Sequence, residues 1–276
     1  MLAPSTPELN AIIFDMDGTL ADTEELHRQS FNRAFSEFHL DIEWSRAEYH
    51  DLLAISGGKE RIRRYLQQRR IEADDAAALL RLAGSLHQRK SALYRDMLSN
   101  AHMTLRPGIR RLIDEARGCG VRLGIATSSS RQNVETLLAT TLGTGAIPMF
   151  HAIVTSDEVV EKKPSPAVYL HALSQLGETA RNCVAIEDTR NGNLAALGAG
   201  LTTIITTHAF TIDNDFTGAA LVLDQLGEPG RPFRVIAGDA HGAELVDLAL
   251  LRRLIAAREN RGQTTVSPER MDRQSR

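Results

Sequence analysis

Apolar positions along the chain follow two different periods. Residues 11–14, Ala-Ile-Ile-Phe, are consecutively apolar and run into an aspartate, as in a strand buried on both faces of a parallel sheet. Asp17-Gly18-Thr19 then reads as a turn. From about residue 23 to residue 98 the spacing becomes three and four: Phe31, Ala34, Phe35 and Phe38, then Tyr49, Leu52 and Leu53, then Ile62, Tyr65 and Leu66, then Leu79, Leu82 and Leu86. That period predicts an all-helical block. Arg106-Pro107-Gly108 punctuates its end. Beyond it, strands are predicted over 121–126, 152–154, 183–186 and 201–206. Helices are predicted through Ile109, Leu112, Ile113 and Ala116, through Val134, Leu137 and Leu138, and through Val168, Leu170 and Leu173. The last of these has Ser165 as its expected cap and Pro166 as its first helical residue. Strands alternating with helices predict an α/β fold with a parallel sheet covered on both faces. The expected organisation is an α/β core made of residues 1–22 and 105–261, interrupted by a helical insert over 23–104. Residues 228–261 give only a partial stripe, Leu245, Leu248, Leu251 and Ile255, with Arg252 and Arg253 expected to face solvent. Residues 262–276 are polar and charged and are expected to be disordered.

Composition narrows the classes of function. A chain of 276 residues, 42% apolar and 24% charged, can bury a substantial core. A net charge of −3 argues against a dedicated binder of nucleic acid or anionic membrane. No apolar run approaches the roughly 18 residues of a transmembrane helix. The first ten residues show no basic segment followed by an apolar one, so no secretory signal is expected. Cys119 and Cys183 lie far apart without CxxC spacing, as two structural thiols in a reducing compartment would. The expected setting is the cytoplasm, and the expected partner is a small molecule.

Ligands of an open α/β sheet bind beyond the carboxyl ends of the strands. There the sequence places Asp15 and Asp17, then Thr127, Ser128, Ser129 and Ser130, then Lys163, then Glu187 and Asp188. Singly, each has an ordinary explanation: turn aspartates, a capping Ser/Thr cluster, a solvated Lys-Lys-Pro loop, acids at a helix start. Their recurrence at one strand end after another favours a site. Crowded carboxylates need a compensating cation, and an all-oxygen donor set suits Mg²⁺. Hydroxyls, helix-start N–H groups and a lysine suit phosphate oxygens. Two carboxylates two residues apart can divide attack on phosphorus from handling of the leaving-group proton.

Asp15-Met16-Asp17-Gly18-Thr19-Leu20 after an apolar strand resembles the first motif of the haloacid-dehalogenase-like hydrolases. Thr127, Lys163-Pro164 and Glu187-Asp188 are similar to the second, third and fourth, and the order extends to about residue 225. Ala167 departs from the pattern, since many relatives carry Asp there. The resemblance implies a Rossmann-like core with an inserted helical cap. It implies Asp15 as nucleophile and Mg²⁺ ligand, Asp17 as general acid/base with its backbone carbonyl on the metal, and Asp188 as a further ligand supported by Glu187. Thr127, Ser128 and Lys163 would hold the phosphoryl group. An acid at Asp17 is the phosphatase or mutase pattern, as against the dehalogenating one.

Within the insert, the run Thr23-Glu24-Glu25-Leu26-His27-Arg28 and the segment Gly57-Gly58-Lys59-Glu60-Arg61 resemble the CbbY-type phosphatases of the Calvin cycle. That resemblance implies removal of a phosphate from xylulose-1,5-bisphosphate, an inhibitor of Rubisco. A bisphosphate needs a second anchor. Gly57 and Gly58 could present N–H groups while Lys59 and Arg61 add charge; a solvated helix start would look the same. Glu24, His27, Tyr49, Glu60, Ser129 and Ser130 complete the expected substrate-binding set. The alternatives are a β-phosphoglucomutase-like enzyme, which would share the core and His27, and an inert binding module, which the two motif-one aspartates disfavour.

Overall fold

The computed structural model of the chain describes residues 8–69 and 76–264. Strand β1 (Ala11–Phe14) has no exposed residue. Ile12 and Phe14 point into one apolar cluster, Ala11 and Ile13 into another, so the unbroken apolar run reports burial on both faces. Its neighbours are β2 (Arg122–Ala126) and β4 (Cys183–Glu187), both parallel to it. The sheet continues through β3 (Ala152–Val154) on one side. On the other run β5 (Thr202–Thr206), β6 (Leu221–Leu223) and β7 (Val235–Gly238), giving seven strands in the order β3-β2-β1-β4-β5-β6-β7. The register pairs Phe14 with both Ile125 and Ile186. Asp15, Thr127 and Glu187 therefore emerge at one edge.

The sheet is parallel as expected apart from the edge strand β7, which the sequence did not mark and which runs antiparallel to β6. A parallel return needs a crossover, usually a helix. The segment between these strands holds instead a turn closed by paired Glu228–Arg231 backbone hydrogen bonds. One face of the sheet is covered by α5 (Ile109–Gly118), α6 (Arg131–Leu142) and α9 (Leu248–Thr264), the other by α7 (Ala167–Leu176) and α8 (Arg190–Gly198).

Two local expectations change. Helix α7 starts at Ala167, and Ser165 Oγ accepts that residue's N–H at 3.3 Å. Its inward face is Val168, Tyr169, Ala172, Leu173 and Leu176, while Leu170 is 50% exposed. In α9 the buried stripe is Leu248, Leu250, Leu251, Leu254 and Ile255, with Arg252 and Arg253 exposed as expected. The helix carries the chain through 262–264, the first residues of the expected disordered tail; residues 265–276 lie outside the described ones.

Between β1 and α5 lies a helical insert: α1 (Glu24–Glu37), α2 (Arg46–Leu52), α3 (Gly58–Gln68) and α4 (Ala76–Asn100). Its core packs Phe31, Phe35, Trp44, Tyr49, Ile62, Leu66, Leu86 and Leu93. Ser45 and Glu48 form a reciprocal capping box that fixes the start of α2. The two chain crossings into the insert are tied together, because Arg106 N–H donates to Leu20 C=O at 2.8 Å. The Arg106 guanidinium also donates to the carbonyls of Gly18, Thr206, Thr207 and Asp224. No helix among the described residues is long and apolar enough to cross a membrane.

Candidate active site

Three carboxylates converge where β1 and β4 end. Asp15, Glu187 and Asp188 are all buried, and one oxygen from each lies within 4.8 Å of the others. Burial pushes the Asp15 carboxyl well above its ordinary value; Lys163 opposes this, and the charges of Glu187 and Asp188 add to it. Asp188 is also raised, chiefly by burial. Lys163 Nζ lies 2.5 Å from Asp15 Oδ1 and also donates to Glu187. Burial disfavours its charge, yet the two carboxylates hold its pKa above that of a free lysine. One ammonium against three carboxylates leaves an excess of negative charge. A hard divalent cation fits that donor set, since every ligand atom offered is oxygen.

The surrounding contacts sort the three acids. Glu187 takes Lys163 and the Tyr169 hydroxyl (2.6 Å) on Oε1, and the Asp188 N–H (3.2 Å) on Oε2. It is the most fully engaged of the three, in keeping with support of the shell. Gly192 makes room for it: a Cβ there would lie 1.9 Å from Glu187 Oε2. Asp188 accepts the Thr19 hydroxyl on Oδ1 (3.0 Å) and meets His208 Nε2 at Oδ2 (2.9 Å).

Asp17 belongs to a different environment. Its Oδ1 accepts from Thr23 Oγ1 (2.8 Å) and Tyr94 Oη (3.1 Å) and pairs with His27 Nε2 (3.0 Å). Burial works against the carboxylate, but His27 and Thr23 bring its pKa down to about 2. His27 stacks on Tyr94 at 3.9 Å between ring centroids. On its other side, Nδ1 lies 2.6 Å from Lys90 Nζ, within hydrogen-bond reach. Burial lowers Lys90 to about 7.

Thr127, Ser128, Ser129 and Ser130 line the cleft together with Lys163. Thr127 Oγ1 accepts the Ser129 N–H, and Ser130 caps α6, so part of the cluster is spent on local structure. From the insert, Glu24, His27, Tyr49, Gly57, Gly58, Arg61, His87 and Lys90 face the same cleft, with Lys162 and Asn191 from the core. Tyr49 donates to Glu24 (2.7 Å), and Arg61 donates to the Tyr49 hydroxyl (3.1 Å) and to the carbonyls of Leu52 and Ile55.

Two expected substrate contacts sit elsewhere. Lys59 is exposed and lies outside the cleft lining. The segment 57–61 is the N-cap and first turn of α3, and that turn carries its side chain away. Glu60 pairs with Lys162 at 3.1 Å across the junction of insert and core. Residues given no site role by the sequence reading are Thr23, His87, Lys90, Tyr94, Tyr169 and His208. Tyr94 and Tyr169 sit at apolar helical spacing and read as core, and His208 lies in a loop with no motif around it.

The sequence pattern of the haloacid dehalogenase-like hydrolases matches residues 12–206. The chain is 42% identical to the protein CbbY of Rhodobacter capsulatus over 212 residues, 77% of this chain and 91% of that one. It is 41% identical to the plasmid-borne CbbY of Cupriavidus necator over 245 residues, 88% of this chain and 96% of that one. A mutant CbbY from Rhodobacter sphaeroides, solved in complex with xylulose-(1,5)bisphosphate, superposes with a TM-score of 0.73 at 42% identity, covering 79% of this chain and 94% of that one.

Proposed function

The chain belongs to the haloacid dehalogenase-like hydrolases and is a phosphatase of that type, and from that premise we propose a Mg²⁺-dependent sugar-bisphosphate phosphatase. Its substrate in this reading is xylulose-1,5-bisphosphate, the molecule bound in the mutant CbbY complex. The observation that carries the mechanism is the separation of two aspartates two residues apart. Asp15 lies among carboxylates against Lys163, and Asp17 is held by Thr23, His27 and Tyr94 of the insert.

Asp15 attacks phosphorus, and the bond from phosphorus to the sugar oxygen breaks. Asp17, ionised in the free protein, takes up a proton from solvent on substrate binding and gives it to that oxygen. Water then attacks the aspartyl-phosphate, Asp17 takes a proton from it, and inorganic phosphate leaves. All three donors to Asp17 fall on Oδ1, so Oδ2 is the oxygen available for both transfers. Lys163, Thr127 and Ser128 bind the phosphoryl oxygens, where charge accumulates in the transition state. Asp15, Asp188 and the Asp17 backbone carbonyl would hold Mg²⁺, with Glu187 behind them. When bound, the ion offsets the carboxylate charge and polarises the phosphoryl group. The insert acts as a cap over the core, keeping bulk water from the reacting atoms. Gly57, Gly58 and Arg61 line the same cleft and in this reading anchor the second phosphate. Cys119 and Cys183 are both free thiols, which supports a cytoplasmic setting.

The test is phosphate release from a panel of sugar phosphates, with and without Mg²⁺. Fast Mg²⁺-dependent release from xylulose-1,5-bisphosphate, reduced by ~10⁴-fold or more in Asp15→Asn, is the expected result. Release confined to other sugar phosphates would remove the substrate and keep the mechanism. Isomerisation of glucose 1-phosphate without release would replace the phosphatase by a mutase.

A further inference from the structure

The loop after β5 does two things at once. Its first part touches the metal-ligand carboxylate: His208, with 4% side-chain exposure, meets Asp188 Oδ2 at 2.9 Å. Its Nδ1 accepts the Phe210 N–H at 3.3 Å. With that nitrogen an acceptor, Nε2 carries the proton and donates it to Asp188. The next part leaves the core. Phe210 is buried in the helical insert's own apolar cluster, edge-on to Tyr49 at 5.7 Å and under the Arg46 guanidinium at 5.7 Å. Asp213 then pairs with His50 of α2 at 3.0 Å. The turn between is short and internally bonded, since Thr211 and Ile212 N–H groups both donate to the His208 carbonyl.

The second clamp on Asp188 is Thr19, which holds Oδ1 from the segment entering α1. Both groups that set the plane of this carboxylate therefore sit on chain segments tied to the insert. Backbone room is tight there: a Cβ on Gly18, at φ +83°, would fall 2.2 Å from Asp188 Oδ2 and 2.8 Å from His208 Nε2.

We propose that His208 and Phe210 are positioning residues that couple the seating of the insert to the orientation of the metal-ligand Asp188. Phe210 seats in the insert, His208 turns with the same short loop, and Asp188 is aimed only when Phe210 is in place. This rests on the Mg²⁺-dependent reading above. Groups that orient a ligand through a hydrogen bond change metal affinity by about 10–100-fold when lost.

The experiment is calorimetric titration of Mg²⁺ alone into the full chain and into His208→Leu, His208→Gln, Phe210→Ala and the His208→Leu/Phe210→Ala double variant, with thermal unfolding of each as a folding check. His208→Leu and Phe210→Ala should each bind Mg²⁺ about tenfold more weakly. His208→Gln, which keeps an N–H donor, should regain most of the loss. The double variant should bind no more than about twofold more weakly than His208→Leu, because the two residues act as one unit. Should Phe210→Ala not fold, Phe210→Leu takes its place. Wild-type affinity in the Phe210 variant, or losses that multiply in the double variant, would overturn the coupling. Absence of Mg²⁺ binding by the wild type would instead overturn the metal-dependent reading.

Discussion

Lys90 is the residue whose charge is least at home in its surroundings. It lies over the rings of Phe31 and Tyr94, and burial brings it from 10.5 to about 7. The folded state thus holds this proton less tightly than the unfolded chain does. Stability should rise with pH between about 7 and 10.5, and below pH 7 the cost of charging Lys90 is fully present. Urea midpoints measured across pH 7–9 should show that rise in the wild type and a flatter profile in Lys90→Met. Nothing in the sequence singles out Lys90, because a lysine on a helix is ordinarily solvated. Asp15 and Asp17 are legible for the opposite reason: each is a charged group at the end of an unbroken apolar strand. His208 and Tyr169 owe their roles to contacts with Asp188 and Glu187 across the fold, which no local pattern encodes.

Helix α3 shows how a motif can be placed correctly and its side chains misassigned. Gly57 and Gly58 do face the cleft, but the chain turns into a helix at Gly58 and Lys59 swings out. Gly57 has φ +92°, a left-handed value that favours glycine, and a Cβ there would lie 2.2 Å from Glu60 Oε2 and 2.7 Å from Lys162 Nζ. Gly57→Ala should therefore destabilise the protein by about 1–2 kcal/mol and separate the Glu60–Lys162 pair. Thermal unfolding checks the first effect. Steady-state kinetics should show KM for the bisphosphate raised by about tenfold, ~1.4 kcal/mol of binding, with kcat changed less. The longer elements were readable from period alone. The face of α7 was not, because Tyr169 turns inward to reach a carboxylate while Leu170 faces water. Strand β7 was not readable either: all four of its residues are exposed, so no buried face marks it.

Across the whole molecule, the carboxylate cluster holds like charges together that a bound cation would offset. A ligand that binds only the folded state adds about 2.7 kcal/mol at a hundred times its Kd. For a chain of this size that corresponds to a rise in Tm of roughly 5–10 °C. Mg²⁺ should produce such a rise in calorimetry and a chelator should reverse it, while Asp188→Asn should blunt the response. The sheet order bears on how the protein is made. Strand β1, which ends just before Asp15, leaves the ribosome before either strand it pairs with, since the register joins Ala11 to Arg122 and Cys183. At about 5–20 residues per second, synthesis of the first partner lags by roughly 5 to 20 seconds. During that interval four consecutive apolar residues have no sheet to join, while the helices of the insert, rich in local contacts, can already assemble. Newborn chains therefore expose that segment until the core closes, and Asp15 is among the last groups to find its surroundings.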